Sequence, residues 1–576
     1  MNHDRNRRAA PSLAVLLGCL LAASGRAADI YVAPDGNDTY PGSKLLPLRT
    51  LAAAAQTARS GDTCIVRRGF YHETLRPARS GKFDKPIQFV AAPGETVTLA
   101  RTVPLDEWQV YSGAVYKAAA SNVLQLLVDD VPAAPLQDMP GAAFEPQAVW
   151  WTAHDGFIYA RFPNNDGPAA RRVEIQRDRW SVDLSGLSHI VVKGFGIVAG
   201  GINLLDANHC RLEDCHLWWS EAGIRIGGKD NEMTGCSTVG GNAGVAFESN
   251  SMNNRMTDTL VRGGDRAGSN VFGVTASGTA QTIRRATVAN WPGGAILCSN
   301  LLNGRVEYSE FRDVGQGTPA ASVMKIAGDG KGTTISFNWL HDNHSPSGDG
   351  VLMDGSVENY ILHHNVIWGQ SRAALRLLGS CRYVFLCNNT CAMNGAAVDA
   401  GELAREAPLL GTRLVNNLFA GAVWPSSQGR PPAAVAVENN YVGDAPGFAN
   451  ATNRNFQLAP GSPCVDAGTD EPDFTEGYTG SAPDLGAYES GAAPWTPGCA
   501  APEKANQVAK PVLHLILESA TPEAEIRYTV DGRQPGADST LYTGPVKAVS
   551  GTVRAKAFRG GMEDSPATAV TIRPAE

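Results

Sequence analysis

Charge is scarce in this chain: Asp, Glu, Lys and Arg make up only 18% of its 576 residues, and the net charge is −8. Past the N-terminus it has no basic run, which excludes nucleic acid as a partner, because phosphate binding rests on clustered Lys and Arg. Beyond residue 27 no segment reaches the ~20 apolar residues of a membrane-spanning helix, so no transmembrane segment is expected. Helix-friendly composition is missing too, and 62 glycines with 35 prolines point to a turn-rich β protein.

The N-terminus has a basic start (Arg5, Arg7, Arg8), an apolar run over 13–23 and a small-residue exit at Gly25-Arg26-Ala27. This is the pattern of a secretory signal peptide over 1–27, and a secreted or periplasmic location is expected. Leu16-Leu17-Gly18-Cys19 also spells a lipoprotein box that would leave a lipid anchor at Cys19, but the apolar run continues past that cysteine. Cleavage after Ala27 removes four arginines and one aspartate and takes the charge from −8 to −11. Ten of the eleven cysteines remain, and export permits disulfides. Cys464 with Cys499 is a pair the sequence allows and Cys215 with Cys236 reads as stacked core thiols, while connectivity is not read from sequence.

From about residue 188 a weak unit recurs: two short apolar strands, a small polar residue at a bend, a third strand and a variable loop. The bend residues are Cys215, Cys236, Thr259, Ala286, Ser309, Asn338, Asn365, Asn389 and Asn417, at spacings of 21, 23, 27, 23, 29, 27, 24 and 28. Three positions before each stands an apolar residue: Leu212, Met233, Met256, Ile283, Val306, Ile335, Leu362, Leu386 and Leu414. Constant inner spacing with irregular length between units is what a stacked solenoid requires. A sandwich with Asn and Gly in its turns does not explain nine aligned units, and a leucine-rich horseshoe would repeat a leucine consensus. The run Asn338, Asn365, Asn389, Asn417 predicts an asparagine ladder.

Ile30-Tyr31-Val32, Asp35-Gly36-Asn37-Asp38, the segment 51–58, Gly61-Asp62-Thr63 and Arg68-Gly69-Phe70-Tyr71 resemble the capping helix and first coil of the pectin-lyase-like right-handed parallel β-helix superfamily. The coil ending Asn388-Asn389-Thr390 is similar to those of its bacterial members. So is the closing stretch Leu458-Ala459-Pro460-Gly461-Ser462-Pro463, Asp466-Ala467-Gly468 and Asp484-Leu485-Gly486-Ala487-Tyr488-Glu489. Residues 100–180 break the repeat with alternating apolar stretches, Trp108, Trp150 and Trp151, and two hairpin-like segments at Val128-Asp129-Asp130 and 157–164. A small inserted β domain at this point resembles secreted β-helix glycoside hydrolases. Ile526-Arg527-Tyr528-Thr529, Asp531-Gly532, Leu541-Tyr542 and Val553-Arg554-Ala555-Lys556-Ala557 resemble the chitobiase-type immunoglobulin-like C-terminal domain, a β-sandwich module. The expected fold is thus all-β, divided as signal peptide 1–27, cap and first coil 28–99, insert 100–180, main β-helix 181–495, linker 496–507 and C-terminal module 508–576.

The resemblance implies an active groove along one parallel sheet, whose strands fall at Ile224–Ile226, Val245–Phe247, 295–297, 324–326, 351–353 and 375–377. With the flanking apolar residues inward, the pleat turns Arg225, Ala246, Lys325, Leu352 and Arg376 outward, and further along Glu248 and Asp354. Lys325 and Arg376 would then stand roughly 10 Å apart with the coil of Asp354 between them, while Glu248 is four coils, about 19 Å, from Asp354. The loop 341–350 carries Asp342, His344 and Asp349, so Asp349 is expected to face Asp354 across a bound sugar, with Asp342 as its substitute. Either aspartate is equally well placed to cap a bend. Trp291 reads as a sugar-stacking or a packed loop aromatic, and Lys325, Arg376 and His344 as substrate-binding groups.

The expected activity is glycosidic bond cleavage in a polysaccharide or oligosaccharide by hydrolysis, which needs a carboxylate pair and no cofactor. Two alternatives stand beside it. One is a polysaccharide lyase acting on a uronate through Lys325 and Arg376, for which the resemblance admits Ca2+; the other is a non-catalytic carbohydrate-binding or adhesin solenoid. A monomer is expected.

Overall fold

In a computed structural model of the chain, the apolar column read from the repeat is continuous. Leu212 lies in register with Met233, Met233 with Met256, Met256 with Ile283, and Ile283 with Val306. Ile335, Leu362, Leu386 and Leu414 follow, each beside the last. The described residues are 27–499 apart from 130, 137–148, 163–166, 264–270, 401–408, 426–428 and 433–434, and then 514–515, 519, 524–542, 546–547, 551–559 and 565–572. The expected signal peptide with Cys19, the hairpin positions Asp130, Pro163 and Asn164, and linker positions 500–507 lie outside them.

Parallel pairing builds a 13-stranded sheet on one face and a 23-stranded sheet that folds around the other two. Val, Ile, Leu and Phe fill the interior as one cluster running from Ile30 to Trp424, as expected when each coil can bury its inward side chains only against its neighbours. At the N-terminal end the helix Leu51–Thr57 closes the stack: Thr50 caps it by accepting from the Ala53 amide, and Leu51, Ala54 and Ala55 turn inward.

The bend column is also realised. All nine bend residues are buried, and the asparagine ladder runs through the fold. In each of Asn338, Asn365 and Asn389 the backbone N–H and the side-chain Nδ2 both donate to Oδ1 of the next asparagine, at 2.9–3.2 Å. The ladder extends to Asn440 at one end and to the Ser309 amide at the other. A second ladder, Asn231 to Asn254 to Gln281, occupies a different corner and is not apparent from the bend spacing.

Residues between the strands Val97–Ala100 and Trp180–Asp183 form a four-stranded and a five-stranded sheet around their own core of Leu126, Trp151, Ile158, Phe162 and Ile175. Leu127 of this insert packs among Val198, Ala199 and Trp218 of the solenoid. Near the C-terminus, strand Glu525–Thr529 pairs with Thr540–Leu541 and Gly551–Phe558, and the latter with Thr568–Ile572, all antiparallel.

The candidate Cys464–Cys499 disulfide is corrected: both are free thiols, as are the other eight described cysteines. Cys464 sits beside Leu418 and Leu485, whereas the Cys499 amide donates to Thr287. Thr287 and Leu418 are five strands apart in the 13-stranded sheet, about 24 Å, beyond any disulfide. Cys215 and Cys236 are fully buried, as read. No described helix is long and apolar enough to cross a membrane.

Candidate functional site

One outward column crosses the large sheet. In consecutive coils it presents Arg225, Ala246, Thr275, Leu297, Lys325, Leu352, Arg376 and Asp399, each in register with the next. Two charged groups stand on it. At one, Lys325 Nζ lies 2.9 Å from Asp354 Oδ2, and both side chains reach solvent. Arg376 lies one strand past Asp354, its Nε and Nη1 buried without hydrogen-bond partners and Nη1 3.8 Å from the Asp349 carboxylate. At the other, Arg225 Nε donates to Glu248 Oε1 at 2.7 Å, with Glu248 four coils and Arg225 five from the Asp354 strand.

A cavity opens on the column at the Arg225 end. It is a cleft of about 410 Å³ whose walls include Arg179, Trp180, Glu221, Arg225, Asn242 and Phe272. Glu221 sits in the turn entering the strand Ile224–Ile226. Ser220 Oγ accepts from the Gly223 amide at 2.8 Å. At Gly223 (φ +62°) a Cβ would meet the Gly244 carbonyl oxygen at 2.1 Å, so only glycine lets the coils stack there. The Glu221 carboxylate is clamped by amides: Oε1 accepts from Gln125 Nε2 at 3.0 Å and Asn242 Nδ2 at 3.1 Å, and Oε2 from Asn242 Nδ2 at 2.8 Å. Trp180 and Phe272, both half-buried, bring aromatic surface to a cleft that otherwise carries charge and amide groups. Apolar walls with a few convergent polar groups are what a sugar ring needs.

Residues 200–390 match the family model "Right handed beta helix region". Over that stretch the chain is the right-handed parallel β-helix that the model describes. Residues 504–570 of this β-helix protein match the model "Chitobiase/beta-hexosaminidase C-terminal domain". The Bacillus subtilis protein YwoF is 44% identical over 71 residues, 12% of this chain and 15% of its own, and the Emericella nidulans pectate lyase PEL9 is 37% identical over 75 residues, 13% and 18%. The β-helix protein thus spans under a fifth of the length of these relatives. Among solved structures, XylC with xylose is 16% identical with a TM-score of 0.40, covering 69% of each chain. A glycoside hydrolase is 12% identical with a TM-score of 0.47, covering 75% of this chain and 99% of that one.

Within the β-helix, Lys325, Asp354 and Arg376 share one outward face, but the residues expected to complete their site do not join them. Asp349 is fully buried, so its carboxylate does not open onto the groove. It accepts from Arg372 Nε at 2.8 Å and from Nη2, forming a two-pronged ion pair at the corner. Removing one partner of a buried pair strands the other. Asp349→Asn is therefore expected to lower stability by about 2–3 kcal/mol in urea unfolding, the low end of that class because Arg372 reaches solvent.

Asp342 belongs to the strand Trp339–Asn343 of the 13-stranded sheet, so the loop starts later than the sequence suggests and Asp342 cannot substitute for Asp349. His344 is half-exposed and faces Asp313, at 3.3 Å, not Asp354. Trp291 is no groove aromatic: it ends the strand Thr287–Trp291, fully buried, with Nε1 donating to the Val261 carbonyl at 3.3 Å. Glu221 escaped the sequence reading because it lies in a turn, off the strand pleat. The signal that would have found it is the spacing of 21 from Glu221 to Asn242, the same as from Cys215 to Cys236. Among the described residues no group of three or more His, Cys, Asp and Glu side chains is arranged to hold a metal ion.

An ionic cluster around the buried His341 lies on the 13-stranded sheet. His341 stacks on Trp368 with ring centroids 4.1 Å apart, Nδ1 meets Asp342 at 2.9 Å, and Nε2 meets Glu310 at 3.3 Å. Burial alone would depress the imidazole, but the hydrogen bonds to Asp342 and Glu310 win and raise its pKa above 6.5. Burial likewise disfavours the Glu310 charge, yet His341 and Arg312 hold its carboxyl below 4.5. A raised folded-state histidine contributes stability that is fully present below its unfolded pKa and is lost as pH rises through the folded one. The stability difference between wild type and His341→Gln is therefore expected to be full below about pH 6.5 and to shrink at higher pH. It should also shrink in acid, as Glu310 and Asp342 take up protons. Unfolding midpoints in urea from pH 4 to 9 check this.

Proposed function

We propose that this protein is an exported carbohydrate-active enzyme. It lays a polysaccharide along the outward column and cleaves a glycosidic bond by hydrolysis at the cleft of Glu221 and Arg225, with Glu248 held beside it by Arg225. The observation that carries the reading is the amide-clamped Glu221 carboxylate in a cleft walled by Trp180 and Phe272, one coil from Glu248. Hydrolysis requires a carboxylate that attacks or activates water and a second carboxyl group that protonates the leaving oxygen. Every hydrogen-bond partner named for Glu221 is a donor, which suits it to act as the charged nucleophile or base. Glu248 is held by Arg225, and an Arg225 that turns to the sugar frees Glu248 to carry the proton. The expected export rests on the basic, apolar and small-residue pattern of 1–27.

A second reading is favoured by Lys325 at 2.9 Å from Asp354, with Arg376 one strand on, its Nε and Nη1 without hydrogen bonds and Nη1 3.8 Å from Asp349. That is a cationic patch able to hold a uronate and, with Lys325 as base, to eliminate across its ring. Product analysis on plant and algal polysaccharides separates the two. Reducing ends without ultraviolet-absorbing unsaturated sugars support hydrolysis. Unsaturated products move the reaction to Lys325, and binding without cleavage removes both.

A further inference from the structure

The inserted domain reaches into the cleft, and one of its residues touches the candidate nucleophile. Gln125 opens the strand Gln125–Val128, held by antiparallel pairing to Val173–Gln176. Two residues on, Leu127 is wedged against Val198, Ala199 and Trp218 of the solenoid, so the strand that carries Gln125 is anchored to the coils. Gln125 is 4% exposed and its Nε2 donates to Glu221 Oε1 at 3.0 Å. Its own Oε1 is buried without a hydrogen-bond partner. A buried amide oxygen left unpaired costs stability, and an apolar side chain of the same size would avoid that cost. Local rules broken without a folding gain mark functional positions, and the group that Gln125 does use points at Glu221.

Deepening the hydrolase reading and resting on it, we infer that Gln125 is a positioning residue: the inserted domain, through this one amide, fixes the rotamer and favours the charge of Glu221. Asn242 grips both carboxylate oxygens from the next coil, but it lies on the same stack as Glu221 and moves with it. Gln125 comes from outside the repeat and sets the carboxylate against the other wall. The segment leaving the insert supplies that wall, since Gln176 Nε2 donates to the Asp178 carbonyl at 2.9 Å and Arg179 and Trp180 follow directly in the cleft. The insert is therefore a part of the reaction site and not an ornament on the coil.

The test uses the full chain and a substrate identified by the product screen. Gln125→Leu is expected to lower kcat about tenfold with KM changed less than about threefold, the loss of one charge-assisted hydrogen bond. Losing a donor disfavours the charged carboxylate, so the acid limb of the kcat pH profile is expected to move to higher pH. Gln125→Glu, which keeps the size and places a like charge beside Glu221, is expected to move it further. Ile158→Val, in the insert's own core on its five-stranded sheet, is expected to lower the unfolding midpoint while leaving kcat and the pH profile in place. A folded Gln125→Leu and Gln125→Glu with wild-type kcat and pH limb overturns the inference alone, provided that Glu221→Gln is inactive. An active Glu221→Gln overturns the hydrolase reading and this inference with it.

Discussion

Glu221→Gln is expected to lower kcat by about 10³-fold while the protein stays folded, because it removes the charge that attacks or activates water and leaves the shape of the cleft. The amide that replaces the carboxylate keeps one oxygen to accept from Gln125 but turns an NH2 group toward Asn242, which donated to both oxygens at 3.1 and 2.8 Å. The stability cost is therefore about 1 kcal/mol, one exchanged hydrogen bond. Turnover and urea unfolding on the same preparation separate the two effects. Asp354→Asn is the internal comparison: on the hydrolase reading its loss frees Lys325, four coils from Arg225, and moves KM more than kcat. If instead Asp354→Asn or Lys325→Ala abolishes turnover and Glu221→Gln does not, the reaction belongs to the cationic patch.

How much of this was legible in the sequence follows from which forces leave a periodic trace. Stacking does: Leu212 to Leu414 and Cys215 to Asn417 recur because each coil must offer the next an apolar contact and a polar bend, and both columns stand as read. The outward stripe of Lys325, Leu352 and Arg376 follows from the same pleat. Asp349 shows where chemistry was allowed to override that pleat. It shares the parity of Val351 and Met353, which are buried, so the alternation already turned it away from the groove. Only the loop before it, rich in carboxylates and histidines, suggested otherwise. Trp291 failed for a related reason, since a strand extended by two residues turned a supposed loop aromatic into core.

The candidate site itself was mostly not legible. Glu221 is defined by Gln125, 96 residues earlier in the chain, and no period connects an inserted domain to the coil it leans on. The pairing of His341 with Glu310 joins neighbouring coils, 31 residues apart, but off the direct register, in which His341 lies opposite Arg312. The motif His341-Asp342 looked like part of a groove loop because it stands beside Asp349 in sequence, while the backbone places it on another face. Such pairings arise from how the coils close, which depends on loop lengths that vary from unit to unit.

Asn389→Ala is expected to cost about 4 kcal/mol in urea unfolding. Asn389 Oδ1 accepts from both the Asn365 amide and Asn365 Nδ2, at 3.1 and 2.9 Å. Its Nδ2 donates to the Leu362 and Cys387 carbonyls at 2.8 and 3.2 Å and to Asn417 Oδ1 at 2.9 Å. Alanine strands those partners in an interior where Asn365, Asn389 and Asn417 are at most 1% exposed. Each buried orphan costs about 1–3 kcal/mol, partly relieved by relaxation. The ladder also predicts its own gradient. Asn389→Ser should cost less, because Ser309 already fills the same column and accepts from the Ala286 amide at 3.1 Å. Asn440→Ala, at the half-buried end of the ladder, should cost under about 1 kcal/mol, since water can reach the groups it exposes. Equal costs at Asn389 and Asn440 would mean that the asparagines act as separate turn residues and not as one hydrogen-bonded column.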